Sequence, residues 1–398
     1  MRVHVALLLL VAACARGDTT AESPRATRTD SAGITIAMNA GGDRPLPLRF
    51  TERLRLGGAE SGPEAFYQVW TGLVGTDERG RLYVLDREAH RVVVFDSAGT
   101  FVREMARKGG GPGELQHPWR LVVWPDGSVA VADYGTSGLM SFAPDGTPRD
   151  AVAPWPRGAS TPRGLGRAAS GWVVERDDAW KPGDPVRTTL VEWRPDGATA
   201  AASTLLRRER KTPALLVFSN CPIRATLGPV FESTPVWDVR GARVALSEAR
   251  RYVVDVFDGP RLVASWRRDI APRPATRELA LREVGKGLSI RAMDTKCSIS
   301  ADETLEKRGM AETLPAIAEL RFAPDGTLWV SRGKVREEAP TVDVFSAEGD
   351  YLGTLPAGAP MPAAFLPNGD VVAVEQDEET DIRQVVVYRV ERAPAPTR

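Results

Sequence analysis

A short turn signal recurs along this chain, and each copy precedes a Val-rich run. The turns are Glu78-Arg79-Gly80, Pro125-Asp126-Gly127, Ser170-Gly171, Arg240-Gly241, Pro324-Asp325-Gly326 and Pro367-Asn368-Gly369. The runs that follow are RLYVLD (81–86), SVAVAD (128–133), WVVERD (172–177), ARVALSE (242–248), TLWVSR (327–332) and DVVAVEQ (370–376). Glycine supplies the positive φ of a tight turn, and a neighbouring Asp or Asn bonds its own backbone, so such signals between apolar runs close β-hairpins. A second series lies further along each unit: DSAG (96–99), PDG (144–146), PDG (195–197), DG (258–259) and SAEG (346–349). Each of these also sits between two strand-like runs, as VVVF (92–95) and TFVREM (100–105) flank the first. The unit therefore reads strand, turn, strand, loop, strand, turn, strand, with a period of about 45 residues where nothing interrupts it.

One four-stranded antiparallel sheet cannot bury both of its faces alone. Repeated sheets bury them against one another when they stack radially, and closing the circle leaves only short protected edges. Six units begin near residues 68, 117, 162, 234, 316 and 360. The expectation is an all-β chain: a six-bladed β-propeller of four-stranded antiparallel blades over residues 31–390, with 391–398 as a disordered tail. The last unit stops after RQVVVYRV (383–390) and lacks a fourth strand. LRLGGAESGPEAFY (54–67) parallels VREMARKGGGPGEL (102–115), each an outer strand, a Gly-rich bend and Gly-Pro-Glu or Gly-Pro-Gly-Glu. A strand at 51–57 is thus expected to close the ring from the N-terminal side. ITIAMN (34–39), behind a further DSAG (30–33), is either an alternative closing strand or an added one.

Two insertions, 206–231 and 270–313, break the period on either side of the fourth unit. The second reads as helical: Pro274 suits a first turn, Ala275, Leu279, Ala280 and Val284 share a face, and Ser300 with Glu303 has capping-box spacing ahead of DETLEKRGM. Cys221 lies in the first insertion and Cys297 in the second. In an oxidising compartment the two either pair or remain as buried thiols, since pairing needs a geometry that spacing alone does not give.

The first residues, MRVHVALLLLVAAC, carry one basic residue and then an apolar run too short to span a bilayer, which needs about 20 apolar residues. The pattern is that of a secretory signal, residues 1–13. Val11-Ala12-Ala13-Cys14 resembles the bacterial lipobox, which implies cleavage before Cys14 and lipid attachment to it; the alternative is an ordinary signal with an incidental cysteine. Ala15 in place of Asp goes, in enteric bacteria, with sorting to the outer membrane. Residues 14–30 are then the lipidated cysteine and a small, polar, flexible tether. No other apolar run reaches 18 residues.

KGGGPGELQHP (108–118), PDGSVAVADYG (125–135) and GRLYVLDREAHRVVVFDSAGTFVRE (80–104) resemble the NHL-repeat and related six-bladed propellers, in particular the exported, often lipid-anchored ones of bacteria. The resemblance implies a fold and not an activity, because propellers host many unrelated functions.

Chemistry is sparse. The chain has three His, of which His4 lies in the signal; His90 and His117 do not make a three-His metal site. Asp86 and Asp133 end the second strand of units one and two and are read as turn caps. EQDEETD (375–381) and RRERK (207–211) are read as solvated loops rather than as a calcium site and a polyanion patch. Lys plus Arg and Asp plus Glu each total 52, which gives no support to a nucleic-acid partner. What remains is the central channel, whose mouth is expected to present Gln68, His117, Arg120, Arg163 and Glu319 to a small anionic or zwitterionic ligand. The functional expectation is an exported, lipid-anchored, monomeric propeller, a non-catalytic module for a protein or small-molecule ligand at the cell envelope, with no cofactor. The alternative is a metal-dependent lactonase or lyase of the six-bladed type, which would bring a divalent cation and needs carboxylate or amide ligands near the axis.

Overall fold

The computed structural model of the chain describes residues 25–135, 138–152, 164–169, 171–177, 185–194, 201–211, 215–292, 295–377 and 382–393. The signal segment with Cys14, and Arg163, lie outside these. Six antiparallel sheets form a closed ring, the expected six-bladed β-propeller. Blade 1 is Val74–Thr76, Leu82–Asp86, Arg91–Phe95 and Phe101–Met105; blade 2 is Pro118–Val123, Val129–Asp133, Gly138–Phe142 and Pro148–Val152. Blade 3 is Gly164–Arg167, Trp172–Asp177, Pro185–Arg194 and Ala201–Lys211; blade 4 is Val236–Arg240, Arg243–Ser247, Val253–Asp258 and Arg261–Arg268. Blade 5 is Ile317–Phe322, Leu328–Arg332, Val342–Phe345 and Tyr351–Thr354. Blade 6 is Ala364–Phe365, Val371–Gln376 and Arg383–Arg392, completed by Leu48–Leu56 from the N-terminal side.

The second strand of each blade explains why the runs are apolar throughout rather than alternating. In blade 1, Leu82 and Val84 face blade 6, where they meet Val372, Val385 and Val387. Tyr83 and Leu85 face blade 2, where they meet Leu121, Val129 and Val131. Both sheet faces are interior, so period-2 alternation assigns residues to two different cores. Further clusters join blades 2 and 3, 3 and 4, 4 and 5, and 5 and 6, completing the circle.

The closing strand is the expected one, shifted to begin at Leu48. ITIAMN is an added strand: Ile34–Asn39 pairs in parallel with Arg261–Arg268 on the outer edge of blade 4, and Thr27–Ser31 pairs antiparallel with it in turn. Blade 4 therefore carries six strands. This corrects the tether boundary, because Thr27 to Asp30 belong to a strand. Their alternation is too polar to read as one: all five residues of Thr27–Ser31 are exposed, and the strand is held by ladder bonds and by Arg28 on Asp350. RRERK is also corrected. It ends the strand Ala201–Lys211 and is not a loop, and Arg208 and Arg210 turn back onto the blade near Glu248 and Asp177.

Between the blade 6 strand and the added hairpin, the chain crosses the outer edge of blade 5. Pro45 pairs with Thr354, and a Cβ on Gly353 would lie 2.8 Å from the Arg44 carbonyl oxygen, so this crossing needs the glycine. Beneath it lies a buried ion network. Asp343 accepts from Tyr252 (2.5 Å), Arg268 (2.9 Å), Thr354 (2.7 Å) and Arg332, whose Nε and Nη2 stand at 2.9 and 2.8 Å. Arg268 also donates to the carbonyls of Gly41 and Gly42 and lies 3.7 Å from the centre of the Tyr351 ring.

The two insertions meet as one small module. Its pieces are the hairpin Leu215–Phe218 with Cys221–Thr226, the hairpin Leu288–Ala292 with Thr295–Ile299, and helices α1 (Arg277–Val284) and α2 (Ala301–Arg308). Cys221 and Cys297 are joined by a disulfide, with Cα atoms 5.6 Å apart, among Leu216, Phe218 and Ile299. Pro274 and Ala275 precede α1 instead of opening it; Thr276 is the cap, accepting from the Leu279 amide. Ser300 caps α2, but Glu303 does not complete a capping box. Its carboxylate accepts from the Ser219 amide at 2.7 Å and so ties the helix to the neighbouring hairpin.

Candidate functional site

Inner strands start on the face that carries the blade-to-blade crossovers and end at the hairpin turns on the other face. The inserted module arises from crossovers and stands on the first face. There, a cleft of about 1270 Å³ is lined by Gln68, Arg87, Glu88, His90, Lys108, Gln116 and His117 of blades 1 and 2, and by Ser289 of the module. On the opposite face a cavity of about 600 Å³ opens at the axis among Thr76, Val123, Asp238, Arg240, Arg321, Ala364 and Phe365.

The candidates read from sequence divide between these places. Gln68 lies in the crossover before blade 1, not on an inner strand, because that strand starts only at Val74. Its amide and that of Tyr67 donate to Asp86 at 3.1 and 3.0 Å. His117 sits equivalently: its amide and that of Gln116 donate to Asp133 at 3.0 and 2.7 Å. The two aspartates are buried and fix the crossovers, which places Gln68 and His117 side by side in the cleft. His90 holds the positive φ of a turn and bridges the Glu88 and Gln116 carbonyls, a positioning role within the same wall.

Arg120 and Glu319 belong to the channel. In both blades the inner strand carries a bulge just before them, after Pro118 and after Ile317, and they hold the same register, opposite Ala132 and Ser331. Blades 2 and 5 are three apart in a ring of six, so the two residues stand across the axis from each other. Arg120 passes against Gly72, where a Cβ would lie 2.7 Å from its Nη1. Burial, and then the like charge of Arg321, push its pKa down to about 10, while Asp238 acts the other way. Its Nε is buried with no hydrogen-bond partner. Next to it, Trp119 stacks on Tyr134 with its own Nε1 buried and unpartnered. Glu319 keeps contact with water inside the channel, yet the surrounding wall raises its pKa, offset in part by Arg321 and Lys334.

The sequence reading missed Asp238 and Arg321. Arg321 donates to the Pro362 carbonyl and to Asp238, both at 3.2 Å, and Asp238 also accepts from the Phe322 amide at 2.7 Å. Trp237 donates to Glu175 at 2.8 Å and lies flat on blade 3, where Cβ atoms on Gly164 or Gly166 would come within 2.8 Å of its ring. The available signal was the spacing of Glu319 and Arg321, two charged side chains two apart on an inner strand. Among the described residues, no three His, Cys, Asp or Glu side chains gather as a metal site.

Residues 74–146, blade 1 and most of blade 2, match the family DUF5128, described as a 6-bladed beta-propeller. No curated protein matches the chain. Among solved structures, it is similar to a Bacteroides fragilis protein described as exported, at 12% identity and a TM-score of 0.48 over 89% of this chain and 99% of that one. It is similar to a member of the DUF4221 family from Bacteroides vulgatus, at 12% identity and 0.46 over 87% and 99%. It is similar as well to a streptogramin B lyase, at 12% identity and 0.40 over 86% and 98%. No helix among the described residues is long and apolar enough to cross a membrane. Family match and blade count agree: this chain is a six-bladed β-propeller.

Proposed function

We propose that this chain is an exported, lipid-anchored propeller that serves at the cell envelope as a non-catalytic binding module, with a small polar solute held in the axial channel. The observation that carries the reading is the state of Arg120. A half-buried guanidinium whose Nε is shut off from water and unsatisfied is costly unless something else supplies its acceptor. Arg268 stands in contrast: it is completely buried and makes five contacts to acceptors, on Asp343, Asp43, Gly41, Gly42 and Ala40.

The anchor and the solute are tested separately. Cells fed a labelled fatty acid should label the protein, and Cys14→Ser should abolish the label and release the protein from membranes; persistence of the label would remove the anchor. For the solute, a thermal-shift screen of mixed small polar compounds should find stabilising ones for the natural protein and none for Arg120→Ala. Equal responses in both would remove the channel from the reading. A stoichiometric, tightly held divalent ion in the purified protein would favour the lactonase or lyase alternative instead.

A further inference from the structure

We propose that the solute is a small zwitterion, its carboxylate set against Arg120 and its cationic group against Glu319. The inference rests on the channel being a binding site and names what that site selects. Among the described residues, the channel's charges fall into engaged and unengaged groups. Arg321 and Asp238 bond each other, a carbonyl and an amide. Lys334 donates to the Glu338 carbonyl at 2.8 Å. Arg120 and Glu319 are left, and among the described residues neither side chain makes a hydrogen bond or an ion pair. They do not meet each other, although they share one register on opposed blades. The space between them thus has a cationic wall and an anionic wall at one height.

A dipolar solute satisfies both walls at once. A simple anion would match Arg120 while facing the Glu319 carboxylate, and a simple cation would do the converse; each meets repulsion from the opposite wall. A guanidinium offers paired N–H donors that match the two oxygens of a carboxylate, and a carboxylate accepts well from an ammonium. Burial raises the pKa of Glu319 although Arg321 and Lys334 act the other way, and a bound ammonium would oppose that rise.

The full-length protein in detergent is titrated calorimetrically with a ladder of zwitterions: glycine, 4-aminobutyrate and 6-aminohexanoate. Acetate, butyrate and butylamine supply the separate halves. One rung of the ladder should bind at least tenfold more tightly than its matching half-molecules, and that rung reports the gap. Arg120→Gln and Glu319→Gln should each weaken it by about ten- to a hundredfold, the loss of one charge-assisted contact. Binding to the natural protein should also weaken as acid protonates Glu319, a pH profile that Glu319→Gln flattens. Unchanged circular dichroism and melting temperature in both variants show that the fold is intact. If carboxylates bind as tightly as zwitterions and Glu319→Gln changes nothing, the zwitterion is refuted and the channel reading survives. If no probe of any charge binds, and Arg120→Gln leaves every response in the broader screen unchanged, both fall.

Discussion

Asp343→Asn is the most direct test of how the N-terminal segment is held. Asp343 is fully buried, and its two oxygens accept five hydrogen bonds from Tyr252, Arg268, Arg332 and Thr354. Asparagine keeps the shape, removes the charge and turns one acceptor into a donor that faces donors. Arg268, itself fully buried, would be left with Asp43 as its remaining carboxylate, and Asp43 is half exposed. Breaking a buried pair by removing one partner costs about 3–5 kcal/mol. At roughly 2 °C per kcal/mol, the low end of the range because the chain is long, the melting temperature should fall by about 6–10 °C. The control is Asp43→Asn, which touches the same two arginines from the surface and should cost no more than about 1 kcal/mol. Differential scanning calorimetry of both variants reads the contrast. Equal small losses, or a loss below about 1 kcal/mol for Asp343→Asn, would show that the network is not what secures this edge.

Three further outcomes are expected. Replacing Cys221 and Cys297 with Ser reopens a link spanning 76 residues, worth about 4 kcal/mol in the chain-entropy model, and hydrogen exchange should rise first in the two module hairpins; unchanged exchange there would refute the staple. Glu338, whose carboxylate takes two bonds from Arg273, has its pKa lowered to about 2 from 4.5, so its contribution is present above pH 4.5 and lost as pH falls toward 2. Proteolysis within 270–313 should accelerate over that acid window in the natural protein, and Glu338→Gln should show fast proteolysis at every pH. Deleting residues 25–56 should prevent folding, since blade 6 loses Leu48–Leu56 and the ring opens, whereas deleting 25–39 removes only the added hairpin and should leave a folded ring by circular dichroism.

The fold was legible because a blade repeats its own grammar. Turn glycines and the apolar runs after them mark the second strand six times, and that strand is the one buried on both faces. The closing strand was legible through its kinship with 102–115. The added hairpin was not, because Thr27–Ser31 has no buried face and therefore no hydrophobic period to detect. RRERK was misread for a related reason: an outer strand extended past its blade looks like a charged loop. In the channel, Arg120 and Glu319 were visible as polar residues at inner-strand positions. Gln68 is expected at the channel mouth because the first unit begins near residue 68, but blade 1 inserts the 3-10 turn Thr71–Leu73 ahead of Val74. The pairing of Asp238 with Arg321 needs the ring, since 83 residues and a blade boundary separate them.

The N-terminal segment and the channel pose opposite electrostatic problems within one molecule. Residues 27–56 run along the outer edges of blades 4, 5 and 6 in turn, and edges of this kind are otherwise templates for unwanted pairing. Where that belt crosses blade 5, each buried charge is saturated: Asp343, Arg268 and Arg332 answer one another within hydrogen-bond distance. At the axis, the inner strands bring Arg120 and Glu319 to the same height and leave them apart. A chain that neutralises two arginines so fully at its rim leaves Arg120 and Glu319 at its centre without protein partners among the described residues. That the central pair stays unanswered while the outer one is overdetermined is the physical reason to look for the missing partner in solution.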